Sequence, residues 1–192
     1  MILNSRTYQL ACVPRSNQPA AAANIAAYPL RRLEAEVLIA AVNLVTGGTE
    51  QYTSSIPEPF TFIPETERSI ALPDGSINSG FLDMFGRSPR DTGLESERNS
   101  RLSAEQRLHL LNSSHTLRKL EQSRMIQFQT QASRTPQDIA TGMYLGVLSR
   151  FPARAELETA ERYFKSGGRD RRSAAVDLAW ALLNSDEFLF RH

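Results

Sequence analysis

The sequence predicts a mainly α-helical protein, an irregular multi-helix bundle with a long Pro-rich loop and one or two short strands. Three observations predict it. Between residues 32 and 183 apolar side chains recur at the three- and four-residue spacing of amphipathic helices; helix-start signals precede several of these runs; prolines or paired glycines separate them. With 41% hydrophobic and 22% charged residues, the chain has the balance of a protein that buries a core. At 192 residues a single domain over 1–192 is the default, with a possible division into a loop-rich half, 1–101, and a helical half, 102–192.

Residues 1–28 carry short extended patterns, among them the strand-like Thr7-Tyr8-Gln9-Leu10. Pro19 and Pro29 limit the alanine-rich stretch Ala20 to Ala27 to a short turn of helix. A helix is expected from about Arg32 to Val45, with Leu33, Val37, Leu38, Ala41 and Leu44 or Val45 on its apolar face and Gly47-Gly48 as its cap. Pro57, Pro59 and Pro64 make residues 50–68 a loop. Arg68 to Leu72 reads as a short strand closed by the turn chemistry of Pro73-Asp74-Gly75, and Phe81 to Gly86 as one helical turn plugging the core.

After the polar segment 87–101 the chain is expected to be helical to its end. Ser103 with Gln106 forms a capping box for a helix through Leu111, and a second run from about Thr116 to Gln131 uses Leu117, Leu120 and Ile126. Thr135-Pro136-Gln137-Asp138 starts a helix over 136–149 with Ile139, Met143, Tyr144 and Val147 inward. The next runs from Ala153 to Lys165, with Leu157, Ala160 and Phe164 inward, and stops at Gly167-Gly168. The last, Arg172 to Leu183, carries Val176, Leu178, Ala179, Trp180 and Leu183, and Asp186 to Phe190 is apolar enough to dock rather than fray.

Composition excludes several functions. The formal net charge is +1, so no global field draws in nucleic acid or anionic lipid. The basic residues are Arg except Lys119 and Lys165, a skew that fits a GC-rich genome or, more sharply, a surface for phosphate or carboxylate. Cys12 is the only cysteine, which rules out an internal disulfide, a CxxC pair and a thiolate zinc site; a small buried or semi-exposed side chain is a simpler role than a nucleophile. No apolar run is long enough to span a membrane, and the start lacks an export signal. Opening directly on a strand-like stretch, the chain is expected to continue a fold whose first part lies upstream.

Several stretches carry a family resemblance: Asn4-Ser5-Arg6-Thr7-Tyr8-Gln9-Leu10, Arg31-Arg32-Leu33-Glu34-Ala35-Glu36, Leu44-Val45-Thr46-Gly47, Asn78 to Arg87, Glu95-Ser96-Glu97-Arg98, Leu108 to Asn112, Leu145 to Pro152 and Trp180 to Phe190. Read in order, they resemble the planctomycete-enriched domain of unknown function numbered fifteen fifty-three over nearly the whole chain. The resemblance implies the C-terminal part of that domain, in large secreted proteins where it follows a cytochrome-c-like module and a companion domain. It therefore implies an extracytoplasmic location, and as partners the upstream part of the same polypeptide and the cytochrome-c-like module; the alternative to that module as a partner is a polysaccharide. Any haem would belong to that module, since no Cys-x-x-Cys-His occurs here, and no cofactor is expected in this chain. The resemblance also implies Cys-x-Cys in many relatives at the place where this chain has Leu94-Glu95-Ser96.

The candidate polar cluster comprises Arg87, Arg90, Glu95, Glu97, Arg98, Asn4, Arg6 and Tyr8. Glu95 and Glu97, flanked by Arg90 and Arg98, have the residue types for acid–base work on polysaccharide, and equally those of an Arg–carboxylate network pinning a loop. Asn4, Arg6 and Tyr8 alternate along a strand-like stretch and can line a polar groove with Arg87 and Glu97, or satisfy helix ends. Arg32 and Glu36 have the spacing of an ordinary i,i+4 helix pair. His109 and His115 are six apart, not the three or four that metal pairs on one helix prefer, and the third histidine is His192. Asn112-Ser113-Ser114 matches a glycosylation acceptor that is idle in a bacterial protein, and no Gly-x-Ser-x-Gly, His-Glu-x-x-His or phosphate-loop pattern appears. The expected function is a non-catalytic structural or interaction module; the alternatives are a polysaccharide-acting subdomain using Glu95/Glu97 with Arg87/Arg98, and a docking module for the cytochrome-c-like domain.

Overall fold

In a computed structural model, the described residues are 4–6, 30–56, 62–64, 66–72, 77–88, 98–99, 101–131, 134–166 and 168–191. Helices dominate, as the periodicity requires. Two short antiparallel ladders accompany them: β1 (Arg31–Arg32) pairs with β4 (Phe190–Arg191), and β2 (Thr53–Ser54) with β3 (Ile77–Asn78). Neither pairing was anticipated, because both join segments far apart in sequence. Residues 4–6 follow a turn rather than a strand, while Thr7 to Leu10, Cys12, Ala20 to Ala27 and Pro73-Asp74-Gly75 lie outside the described residues.

Helix α1 (Ala35–Thr46) starts three residues later than the sequence suggests, because Arg31 and Arg32 are drawn into the β1–β4 ladder, which Leu33 N–H extends by donating to the Leu189 carbonyl at 2.9 Å. Its C-cap is Gly47 in the left-handed region, φ 69°, as expected. Leu38 and Val45 face the core as expected, but with Ile39 and Val42; Val37 and Leu44 are 40% and 85% exposed. The face is rotated because α1 packs against a 3₁₀ turn, Ser69–Ala71, which replaces the predicted strand at 68–72. That turn buries Ser69 and Leu72, three residues apart, leaves Ile70 outside, and lets the Ser69 hydroxyl donate to the Glu36 carbonyl at 2.7 Å.

Helix α2 (Gly80–Met84), capped by Ser79, is the expected plug: Phe81, Leu82 and Phe85 are buried, with the two phenyl rings stacked at 4.3 Å. Helix α3 (Ala104–Asn112) has the Ser103/Gln106 capping box. The single run predicted over 116–131 is two helices, α4 (Ser114–Glu121) and α5 (Arg124–Gln129), because fully buried Ser123 caps the second by accepting from the Ile126 N–H. Leu120 and Ile126 are fully buried, whereas Leu117 is 43% exposed.

Helix α6 (Pro136–Leu148), with its Thr135/Asp138 capping box, buries Ile139, Met143, Tyr144 and Val147 as predicted. Helix α7 (Arg154–Lys165) fully buries only Ala160, and its C-cap is Ser166 in right-handed geometry rather than the glycine pair. Helix α8 (Arg171–Leu183) lies centrally, packing on α4, α5, α6 and α7, and α9 (Asp186–Leu189) docks Phe188 beneath it. Residues from 35 to 188 contribute to one buried apolar cluster. No helix among the described residues is long and apolar enough to cross a membrane.

Candidate functional site

The polar cluster forms where the start of α1 meets the turn after α2. Glu36, in the first turn of α1 where the helix dipole favours an acid, points inward and is 3% exposed. Arg98 meets it with two parallel bonds, Nη1 to Oε2 at 2.8 Å and Nη2 to Oε1 at 2.9 Å, and approaches Glu34 at 3.8 Å. This fork-to-fork geometry supplies a buried carboxylate with charge and donors together. Arg32 donates from Nη2 to the Phe85 carbonyl at 2.8 Å and from Nη1 to Gln106 Oε1, with its guanidinium 5.4 Å from the Phe85 ring centroid. Burial holds its pKa below the ordinary arginine value. The expected Arg32–Glu36 pair therefore gives way to two longer-range contacts. Arg87, 8% exposed, donates to the Ile77 carbonyl at 3.4 Å.

A backbone approach fixes this corner. Gly86 has φ 83°, its carbonyl accepts from the Asn99 N–H at 3.2 Å, and a Cβ there would stand 2.0 Å from the Asn99 carbonyl oxygen. The contact brings together the positions next to Arg87 and Arg98. The cavity beside them, lined by Arg32, Glu34, Phe85 and Arg98 among others, is about 20 Å³, room for one water. Of the other predicted members, Asn4 and Arg6 are exposed, and Tyr8, Arg90, Glu95 and Glu97 lie outside the described residues. Gln106 was legible only as a cap, yet it also receives Arg32 and donates to the Met84 carbonyl at 2.8 Å.

The histidines occupy a second corner. His115 Nε2 and Lys119 Nζ stand 2.8 and 2.7 Å from Glu50 Oε1, and Lys119 also donates to Asn43 Oδ1 and the Thr49 carbonyl, tying the end of α1 to α4. Burial raises the Glu50 pKa, but the bonds from His115 and Lys119 outweigh it and the net shift is downward. The His109 ring stands edge-on to Phe81 and Phe85 and 5.9 Å from the His115 ring; among the described residues its buried Nε2 has no hydrogen-bond partner. Burial, and then His115, lower its pKa. Among the described residues no three His, Cys, Asp or Glu side chains are grouped to hold a metal.

A larger concavity went unpredicted: a groove of about 800 Å³ between α6, α7 and α8, with Leu148, Ala160, Phe164, Leu178, Trp180 and Leu182 on its apolar lining. At one end Arg150 is shared by Glu156 and Glu187; at the other Tyr163 and Arg169 both donate to Asp177. The available signal was the adjacent pair Tyr163-Phe164, which makes α7 apolar over more of its circumference than one packing partner needs.

No curated protein and no solved structure matched the chain. A family model did, over residues 1–164, so the stretches from Asn4 to Pro152 that carry the resemblance fall inside the match and Trp180 to Phe190 falls beyond it. The chain thus belongs to the PSD1 family, described as a protein of unknown function (DUF1553).

Proposed function

We propose that the chain is a non-catalytic structural or interaction module of a larger secreted protein. The observation that carries this reading is how the cluster's arginines are used. Arg98 is engaged by a buried carboxylate, Arg87 and Arg32 donate to backbone carbonyls, and the small cavity that Arg98 lines among the described residues has room for one water. The alternative, a polysaccharide-acting subdomain, would use Glu95 and Glu97 together with Arg87 and Arg98; the engagement of Arg98 with Glu36 on α1 favours the structural reading. The extracytoplasmic setting and a cytochrome-c-like neighbour belong to the same proposal and rest on the resemblance.

Incubating the purified chain with a panel of plant, fungal and bacterial polysaccharides and measuring reducing ends tests the reading. No release above a buffer control is expected. Release that disappears in Glu95→Gln or Glu97→Gln would replace the module by an enzyme.

A further inference from the structure

The groove between α6, α7 and α8 has the size of a ligand site, about 800 Å³ where such sites run from roughly 300 to 1,000 Å³, and it combines an apolar floor with polar groups at both ends. Its floor is stiff. The Trp180 indole is anchored by its N–H to the Leu111 carbonyl at 3.3 Å, and Tyr163, 43% exposed, is held by its hydroxyl on Asp177 Oδ2 at 2.6 Å.

The two ends differ in what they offer. At the first, all five N–H groups of Arg150 are spent: Nε and Nη2 on Glu187 at 2.6 and 2.8 Å, Nη1 and Nη2 on Glu156 at 2.8 Å each, and Nη1 on the Phe151 carbonyl at 3.1 Å. Two carboxylates to one exhausted guanidinium leave this end rich in acceptors. At the second, Arg169 gives Asp177 one nitrogen and is 60% exposed, so donors face the groove mouth there.

An occupant that covered this groove with hydrocarbon alone would strip water from Glu156 and Glu187 without offering the hydrogen bonds that water gives them, a desolvation that disfavours a purely apolar ligand. A cationic ligand would suit the acidic end and be repelled by Arg169. Hydroxyl groups both donate and accept, and a pyranose ring adds an apolar C–H face that can lie on an aromatic side chain. We infer that this groove binds a neutral oligosaccharide, with sugar faces on Trp180 and Tyr163 and hydroxyls donating to Glu156 and accepting from Arg169. The inference rests on the reading of the chain as an interaction module and names the chemistry of its partner. Prior pairing of the polar side chains means little ordering is needed on binding.

Trp180 is the sole tryptophan, so its emission reports from the groove itself. The full chain is titrated with cellohexaose, chitohexaose, xylohexaose and mannohexaose to about 5 mM, enough to detect a Kd near 1 mM. The expected result is a saturable change with at least one hexasaccharide, weakened tenfold or more in Tyr163→Ala and in Thr159→Phe, which fills the groove from an exposed position on α7. Circular dichroism confirms that both variants remain folded. No response to any of the four sugars overturns the inference, as does a response that folded Thr159→Phe retains, or one elicited only by an amphipathic apolar peptide. Chromatography of the recovered sugar separates the two readings: intact sugar keeps both, shortened sugar ends the non-catalytic reading while binding stands, and no binding ends this inference alone.

Discussion

Gly86 and Arg98 show how much a single residue decides in this fold. At φ 83° with the Asn99 carbonyl where a Cβ would go, Gly86→Ala must displace backbone, and at least about 2 kcal/mol is expected, lowering Tm by roughly 4–8 °C. Gly80, with nothing within 4 Å of its would-be Cβ, is the control: Gly80→Ala should change stability by less than about 1 kcal/mol. Equal Tm values for the two variants would refute the strain argument. Arg98→Ala leaves Glu36, 3% exposed, without its cation, and about 3 kcal/mol is expected in urea unfolding. Pairing Glu36→Met with Arg98→Leu should cost less than Arg98→Ala alone, since the penalty lies in a buried carboxylate deprived of the Arg98 fork. A double variant no more stable than the single one would contradict that. The residue types of this network were legible in the sequence, but the pairing was not: Arg98 reaches Glu36 across 62 positions, and local spacing pointed to Arg32 instead.

At the scale of elements, what could be read were the features whose cause is local. Ser103, Thr135, Pro136 and Gly47 act within a turn of their own position, and each does what its chemistry predicts. Ser103→Ala should cost about 1 kcal/mol, measured by thermal denaturation, and a neutral result would show that Gln106 holds α3 without it. What failed depended on distant partners. The strand expected at 68–72 is a turn because Ser69 is needed by α1, and the helix expected over 116–131 breaks because Ser123 is buried and caps its successor. The α3–α4 corner makes a pH prediction. The His109 pKa is depressed, by burial first and then by His115, so the unfolded chain binds the proton more readily. Its contribution is fully present above the ordinary value of 6.5 and is lost as pH falls through the lower folded value. Unfolding free energy followed downward from pH 7 should therefore decline, and the decline should be shallower in His109→Phe; parallel curves would mean other groups control it.

For the whole molecule, the issue is where the folding unit ends. The family match stops at residue 164, one residue before the end of α7, yet α8 lies centrally in the helical packing and the chain then returns to pair Phe190–Arg191 with Arg31–Arg32. That closure was invisible in the sequence, where the last apolar residues announced docking without saying against what. Val176, Leu182, Leu183 and Phe188 are all more than nine-tenths buried, and at about 1.5–3 kcal/mol each their loss approaches the roughly 5–15 kcal/mol that stabilises a typical domain. A chain cut after residue 164 also exposes Ile139 and Met143, both fully buried on α6, the helix that packs most closely on α8. Such a fragment should lose its cooperative thermal transition, bind a hydrophobic dye and show reduced helicity, while a chain lacking only His192 should match the original. A fragment 1–164 that melts cooperatively near the Tm of the full chain would mean that α8 and β4 are appended to a fold already complete without them.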